Sequence, residues 1–172
     1  MIVILGYMGS GKSLIGKALA KKLMIDFVDL DAYIEAQESQ SIATIFKTKG
    51  ELGFRKLEFQ KLQNLINANK KIVLALGGGT PCYFDSIRHL NTQPQIKTIY
   101  LKSALPTLVE RLWLERDHRP MIAHLQSKID LTEFIGKHLF ERQSFYNQAK
   151  FSVNTTHKKV VDIVTEIEAL LG

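Results

Sequence analysis

The chain has 172 residues, 45% hydrophobic and 23% charged, with a formal net charge of +6. Those proportions suit one globular domain and exclude a disordered or low-complexity chain, and no apolar run reaches the roughly 18–20 residues of a membrane span. One cysteine, Cys82, leaves no internal disulfide, and no Cys/His cluster has metal-site spacing; both fit a reducing cytoplasm and exclude a zinc site.

In chain order, Ile2–Leu5 reads as a buried strand rather than a leader, because it has no basic flank and no small-residue cleavage site. The spacing predicts a helix over 13–23, a strand at Phe27–Asp29, and helices over 31–38, 41–48 and 51–69. A strand at Ile72–Leu76 and a helix over 84–90 follow, then a strand at Thr98–Leu101, helices over 105–114 and 131–149, a strand at Phe151–Asn154 and a helix over 159–171. Short β-branched strands alternating with amphipathic helices imply right-handed βαβ crossovers: an α/β domain spanning 1–172, with a mainly parallel sheet covered on both faces. Such sheets bind ligands at the carboxyl ends of their strands. Two segments exceed what crossovers need. The helices of 31–58 suggest a substrate-binding insert, and the polar 115–127, with Arg119-Pro120, suggests a lid.

Gly6-Tyr7-Met8-Gly9-Ser10-Gly11-Lys12-Ser13 matches G-x-x-x-x-G-K-[ST] between a strand and a helix. Glycines let the backbone N–H groups turn inward around phosphates, and the helix N-terminus adds partial positive charge. Lys12 suits the β- and γ-phosphates, and the Ser13 hydroxyl suits Mg²⁺. Nucleotide binding follows, but the loop is shared by kinases, GTPases, ATPases and regulatory binders. No guanine-reading N-K-x-D occurs, and no apolar strand ends in the usual Walker-B acid.

The residues around the loop carry the acceptor. Asp29 and Asp31, two apart at the end of a strand, face one side; one suits the metal's water shell and the other an acceptor hydroxyl and its proton. The alternative is that Asp31 only caps the next helix. Arg55 and Glu58, three apart on a helix, form either a surface ion pair or an oriented guanidinium for a carboxylate. Phe46 and Phe54 flank that spot or belong to the core. Gly77-Gly78-Gly79 after a buried strand permits close backbone approach to a ligand, or is a flexible turn. Arg119 suits a transferring phosphate and Arg142 a second carboxylate contact, unless either is a solvated arginine. The basic residues form no track and no aromatic interleaving, so the charge favours small anions over nucleic acid.

In order along the chain, G-x-M-G-S-G-K-S, D-x-D, S-I-x-x-I-F, G-E-x-x-F-R-x-x-E, G-G-G, R-P and E-R-x-x-x-Y resemble the shikimate kinases, a branch of the nucleoside-monophosphate-kinase-like P-loop fold. The resemblance implies a five-stranded parallel sheet of order 2-3-1-4-5 and ATP-dependent phosphorylation of the 3-hydroxyl of shikimate, in the chorismate route to aromatic amino acids. It also implies a Mg²⁺ cofactor, a cytoplasmic monomer and only small-molecule partners, with no nucleic acid or membrane. Carried over by position, Gly9, Ser10, Gly11, Lys12, Ser13 and Leu14 would hold ATP, with Ser13 and Asp29 at Mg²⁺. Asp31 would bind the shikimate hydroxyls and act as base. Arg55 and Arg142 would clamp the carboxylate, Gly77, Gly78 and Gly79 would meet the ring substituents, and Phe46 and Phe54 would line the ring. Arg119 would reach the ATP phosphates. Leu14 and Leu76 depart from the family's commoner residues, and Lys158 stands near where relatives place an adenine-facing arginine. Two rivals stay open: a kinase for another polyol acid such as gluconate, and a non-catalytic nucleotide-binding module.

Overall fold

The computed structural model describes residues 1–119 and 121–172. Five strands, β1 (Ile2–Leu5), β2 (Asp26–Asp29), β3 (Ile72–Ala75), β4 (Lys97–Lys102) and β5 (Phe151–Asn154), form one parallel sheet of order β2-β3-β1-β4-β5, as the resemblance implies. Its register aligns Val28 with Leu74, Val3 with Leu74, Ile4 with Ile99 and Leu101 with Val153. The central strands are apolar on both faces, which a parallel sheet needs because helices cover both. Alternation then sorts the side chains. Ile4, Val73, Ile99 and Val153 pack against helices α1 (Lys12–Leu23) and α7 (Val160–Leu171), through residues such as Ile15, Leu19, Ile163 and Ile167. Val3, Leu5, Leu74 and Tyr100 face the opposite layer. That layer holds α2 (Leu30–Glu38), α3 (Ile42–Asn67), α4 (Ser86–Thr92), α5 (Leu105–Leu114) and α6 (Lys128–Tyr146).

Three expectations change in detail. The helices expected over 41–48 and 51–69 join end to end as α3, bent at Gly50 (φ 68°, ψ 176°), a backbone state that favours glycine. Ser41 caps the first half by accepting from the Thr44 N–H. Helix α4 begins at Ser86 rather than Phe84, because Phe84 and Asp85 are both left-handed (φ 52°) after a short 3₁₀ turn at Thr80–Cys82. Helix α6 starts three residues earlier than expected, where Ser127 accepts from the Asp130 N–H. No described helix is long and apolar enough to cross a membrane.

Within the expected lid of 115–127, Pro120 lies outside the described residues. A 3₁₀ turn at Arg116–His118 follows α5; beyond it Ile122 is fully buried, and Arg116 Nη1 donates to the Leu125 carbonyl at 3.3 Å. The segment borders both cavities described below: Glu115 and Arg119 line one, Met121 the other.

Candidate active site

Strands β1, β2 and β3 release their chains at the same edge of the sheet, so the three loops that follow meet there. After β1, Gly6, Gly9 and Gly11 all have positive φ (148°, 78° and 92°), and Gly11 precedes the first turn of α1. A Cβ on Gly9 would stand 2.9 Å from Leu112 Cγ, so the loop has no room for a larger residue there. Lys12 Nζ donates to the carbonyls of Gly6 (2.9 Å) and Tyr7 (3.0 Å), which draws the ammonium across the loop. Burial lowers its pKa to about 8, against the opposing pull of Asp31 and Asp29.

After β2, the expected strand geometry of Asp29 and Asp31 gives way to a helix start. The strand ends at Asp29, which caps α2 by accepting from the N–H groups of Asp31 (3.1 Å) and Ala32 (3.4 Å). Asp29, not Asp31, is therefore the cap; Asp31 stands in the first helical turn. Both still line one cavity, of about 480 Å³, together with Lys12, Arg111, Arg119 and Lys158. Ser13 Oγ donates to Asp29 Oδ2 at 2.7 Å, so a hydroxyl and a carboxylate converge at the mouth of the loop. The Asp31 carboxyl is raised to about 6, first by burial and then by the neighbouring charges of Glu58 and Asp29.

After β3, none of Gly77, Gly78 and Gly79 has positive φ, so the run is not a strained turn. The missing side chains matter instead. A Cβ on Gly77 would stand 2.9 Å from Glu58 Oε1 and 3.0 Å from Asp31 Oδ1, and one on Gly79 would stand 2.7 Å from Arg55 Cζ. The strip is thus a floor on which Asp31, Glu58 and Arg55 close in. Tyr146 Oη fixes it from above by donating to the Gly78 carbonyl at 2.6 Å.

Arg55 is 9% exposed and donates from Nη1 to Glu58 Oε2 at 2.9 Å; Glu58 is 1% exposed. Thr80 Oγ1 fills the other oxygen, Glu58 Oε1, at 2.6 Å. Burial opposes the Arg55 charge, yet Glu58, Tyr83 and Glu51 together outweigh it and hold the guanidinium above its usual pKa. The faces of Phe46, Phe54 and Tyr83 stand 5.8, 5.1 and 4.7 Å from Arg55 Cζ, so its position is fixed by aromatic as well as ionic contact. Arg55 Nε is buried without a hydrogen-bond partner among the described residues. Arg55, Arg142, Phe46 and His138 line a second cavity of about 970 Å³, and Gly78 lies between the two cavities, near Arg142 Nη1. Phe54 is 2% exposed and lines neither cavity; it packs under Phe46 at 4.3 Å.

Of the remaining candidates, Ser10 is buried within the loop and Leu14 is exposed at the cavity edge. Arg119 donates from Nε to Glu115 at 2.9 Å, which keeps it on the phosphate-side wall. Lys158 lines the same cavity and pairs with Glu166 of α7. Sequence reading missed Arg111, whose Nη1 donates to the Gly9 carbonyl at 3.1 Å. On an amphipathic helix it reads as a solvent-facing arginine, and only the packing of α5 on the loop changes that. It also missed Thr80 and Tyr83, which look like turn residues until α3 is laid beside them.

A family model described as shikimate kinase matches residues 8–171. Relatives named shikimate kinase include one from Flavobacterium psychrophilum, 43% identical over 171 residues (99% of this chain, 98% of the relative). Another, from Flavobacterium johnsoniae, is 41% identical, with 99% and 98% of the two chains covered. Among solved structures, the shikimate kinase of Bacteroides thetaiotaomicron superposes with a TM-score of 0.90 at 33% identity, covering 99% of this chain and 97% of that one. The shikimate kinase of Acinetobacter baumannii, in complex with shikimate, superposes with a TM-score of 0.85 at 27% identity, covering 99% and 91%.

Proposed function

Because the chain belongs to the shikimate kinase family, we propose that it transfers the γ-phosphoryl group of ATP to the 3-hydroxyl of shikimate, within aromatic amino acid biosynthesis. The observation that carries this reading is the adjacency of two differently built cavities. One holds a phosphate loop with Lys12 and Arg119; the other holds Arg55 and Arg142, and Gly78 lies between them. An anionic nucleotide suits the first and a carboxylic acid the second.

In the reaction the shikimate hydroxyl oxygen attacks the γ-phosphorus, the bond to the β-phosphate oxygen breaks, and ADP leaves. This chemistry asks for alignment and charge neutralisation rather than a covalent intermediate. Lys12, the loop amides and Arg119 neutralise the phosphates. Asp31 aligns the acceptor hydroxyl and takes its proton; its carboxylate accepts no hydrogen bond from the described protein groups, which leaves its lone pairs for the substrate. Arg55, with Nη1 held by Glu58, presents its remaining donors to the carboxylate, and Arg142 meets it from α6. The 115–127 segment acts as the lid that excludes water. Lys158 and Arg111 border the nucleotide.

A hard divalent cation fits the Ser13–Asp29 pair, where two oxygens converge at 2.7 Å. The described residues offer no cluster of three or more His, Cys, Asp or Glu side chains for a metal. That donor set suits Mg²⁺, which takes one or two protein oxygens and completes its shell with phosphate and water. When bound it would offset charge on the phosphates; Ser13 and Asp29 would hold it. The same reading takes the chain as one domain working as a cytoplasmic monomer on small molecules, with no nucleic-acid partner.

The test is ADP release from MgATP with shikimate, quinate, gluconate or no acceptor in parallel. Turnover with shikimate alone is expected. Turnover with gluconate instead would replace the acceptor, and nucleotide binding without turnover on any acceptor would leave only a binding module.

A further inference from the structure

His138, Arg142 and Tyr146 follow one another at intervals of four on α6, so they form one stripe. The stripe faces the site along its length. Tyr146 donates to the Gly78 carbonyl, and Arg142 and His138 line the 970 Å³ cavity. His138 Nδ1 stands 3.3 Å from Tyr7 Oη, and the Phe134 ring flanks the imidazole at 4.7 Å between centroids. Tyr7 is 1% exposed and belongs to the phosphate loop, where its own carbonyl accepts from Lys12.

The direction of the Tyr7–His138 hydrogen bond follows from counting donors. A buried phenol has one O–H, and Nδ1 is the only partner it has among the described side chains. If Nδ1 carried the proton instead, the phenolic hydrogen would be buried without an acceptor, which folded proteins avoid because the desolvated donor regains nothing. Tyr7 therefore donates, Nδ1 accepts, and the proton of the neutral ring sits on Nε2, which makes no hydrogen bond to any described protein group. Burial, and then the nearby Arg142 charge, lower the His138 pKa, in keeping with an uncharged ring.

We propose that His138 is an acceptor-binding residue whose Nε2–H donates to an oxygen of the bound hydroxy acid, with Tyr7 as the positioning residue that fixes this tautomer. The inference rests on the kinase reading above and adds a third, uncharged donor on the wall that carries Arg142. A neutral N–H recognises an oxygen lone pair without adding a third positive charge to a cavity that already holds two guanidinium groups. It also joins the phosphate loop to the acceptor wall through a single hydrogen bond.

The experiment is steady-state kinetics with varied shikimate on the unaltered protein, His138→Leu, His138→Gln and Tyr7→Phe, with ¹⁵N spectra of the histidine rings. His138→Leu is expected to raise KM for shikimate roughly 3- to 15-fold, the span of a lost hydrogen bond, and to move KM for ATP less than about twofold. His138→Gln can place an amide N–H near the former Nε2 and should recover most of that loss, which a purely packing role would not allow. Tyr7→Phe should fall between the two and mix the tautomers, whereas the unaltered protein shows Nε2–H alone. An unmoved shikimate KM in both His138 variants, or an Nδ1–H ring in the unaltered protein, would overturn the proposal. Failure of the unaltered protein to phosphorylate shikimate would overturn the kinase reading beneath it.

Discussion

Replacing Arg55 with leucine separates the two roles the structure gives this side chain. The first is structural. Arg55 donates at 2.9 Å to Glu58, whose side chain is only 2% exposed. Removing it leaves a buried carboxylate whose sole remaining donor among the described residues is the Thr80 hydroxyl, with Asp31 close by. Breaking such a pair costs about 3–5 kcal/mol, a large part of the 5–15 kcal/mol that holds a domain of this size together. The second role is binding. A desolvated guanidinium–carboxylate contact contributes about 2–5 kcal/mol, so KM for shikimate should rise by roughly 30- to 4000-fold at 1.4 kcal/mol per factor of ten. Urea denaturation reads the first effect. The coupled ADP assay, with shikimate varied at saturating ATP, reads the second, and KM for ATP should move far less. The double variant Arg55→Leu/Glu58→Gln removes the stranded charge, and should regain stability without regaining shikimate affinity. A shikimate KM unchanged in a folded Arg55→Leu would refute the clamp and return Arg55 to a structural ion pair.

Gly79→Ala should imitate that loss without removing any charge: its methyl would stand 2.8 Å from Arg55 Nη1, so the guanidinium must shift and shikimate KM must rise. An unaffected KM would mean that Arg55 can move without consequence. Asp31→Asn should lower kcat steeply while raising stability at pH 7–8. With its folded pKa raised from 3.8 to about 6, Asp31 favours the fold below pH 3.8, and that contribution is lost as pH rises toward 6. The amide removes the penalty, by about 1–3 kcal/mol in urea denaturation at neutral pH; a less stable variant would contradict the assigned cause. For the same reason kcat/KM of the unaltered enzyme should fall as pH drops through about 6, a limb that Asp31→Asn should lose. Lys12→Ala should reduce kcat at least about 100-fold while preserving the fold, as expected for a donor aimed at developing charge; near-normal turnover with an intact fold would remove Lys12 from the mechanism.

The βα alternation, the phosphate loop and the pairing of Arg55 with Glu58 are legible along the chain, because each depends on residues close in sequence. Strand content follows from β-branched runs, the loop from glycines at fixed intervals, and the ion pair from a spacing of three on one helix. Even the D-x-D pair was legible as a pair. Its geometry was not, since whether a strand continues through Asp29 or yields to a helix turns on Asp29 accepting two N–H groups from the next turn. The purpose of the triple glycine was likewise hidden. All three glycines have ordinary φ, and the need for Gly77 and Gly79 appears only when α3 brings Glu58 and Arg55, 19 and 24 positions earlier, against the end of β3. Thr80, Arg111, Tyr7 and His138 belong to the same class. Each is an unremarkable residue in its own segment, and each acquires a role from a partner 22 to 131 positions away. Local pattern is written in neighbouring side chains and backbone propensity; the completed site depends on which loops the parallel sheet releases at one edge, and only tertiary packing decides that.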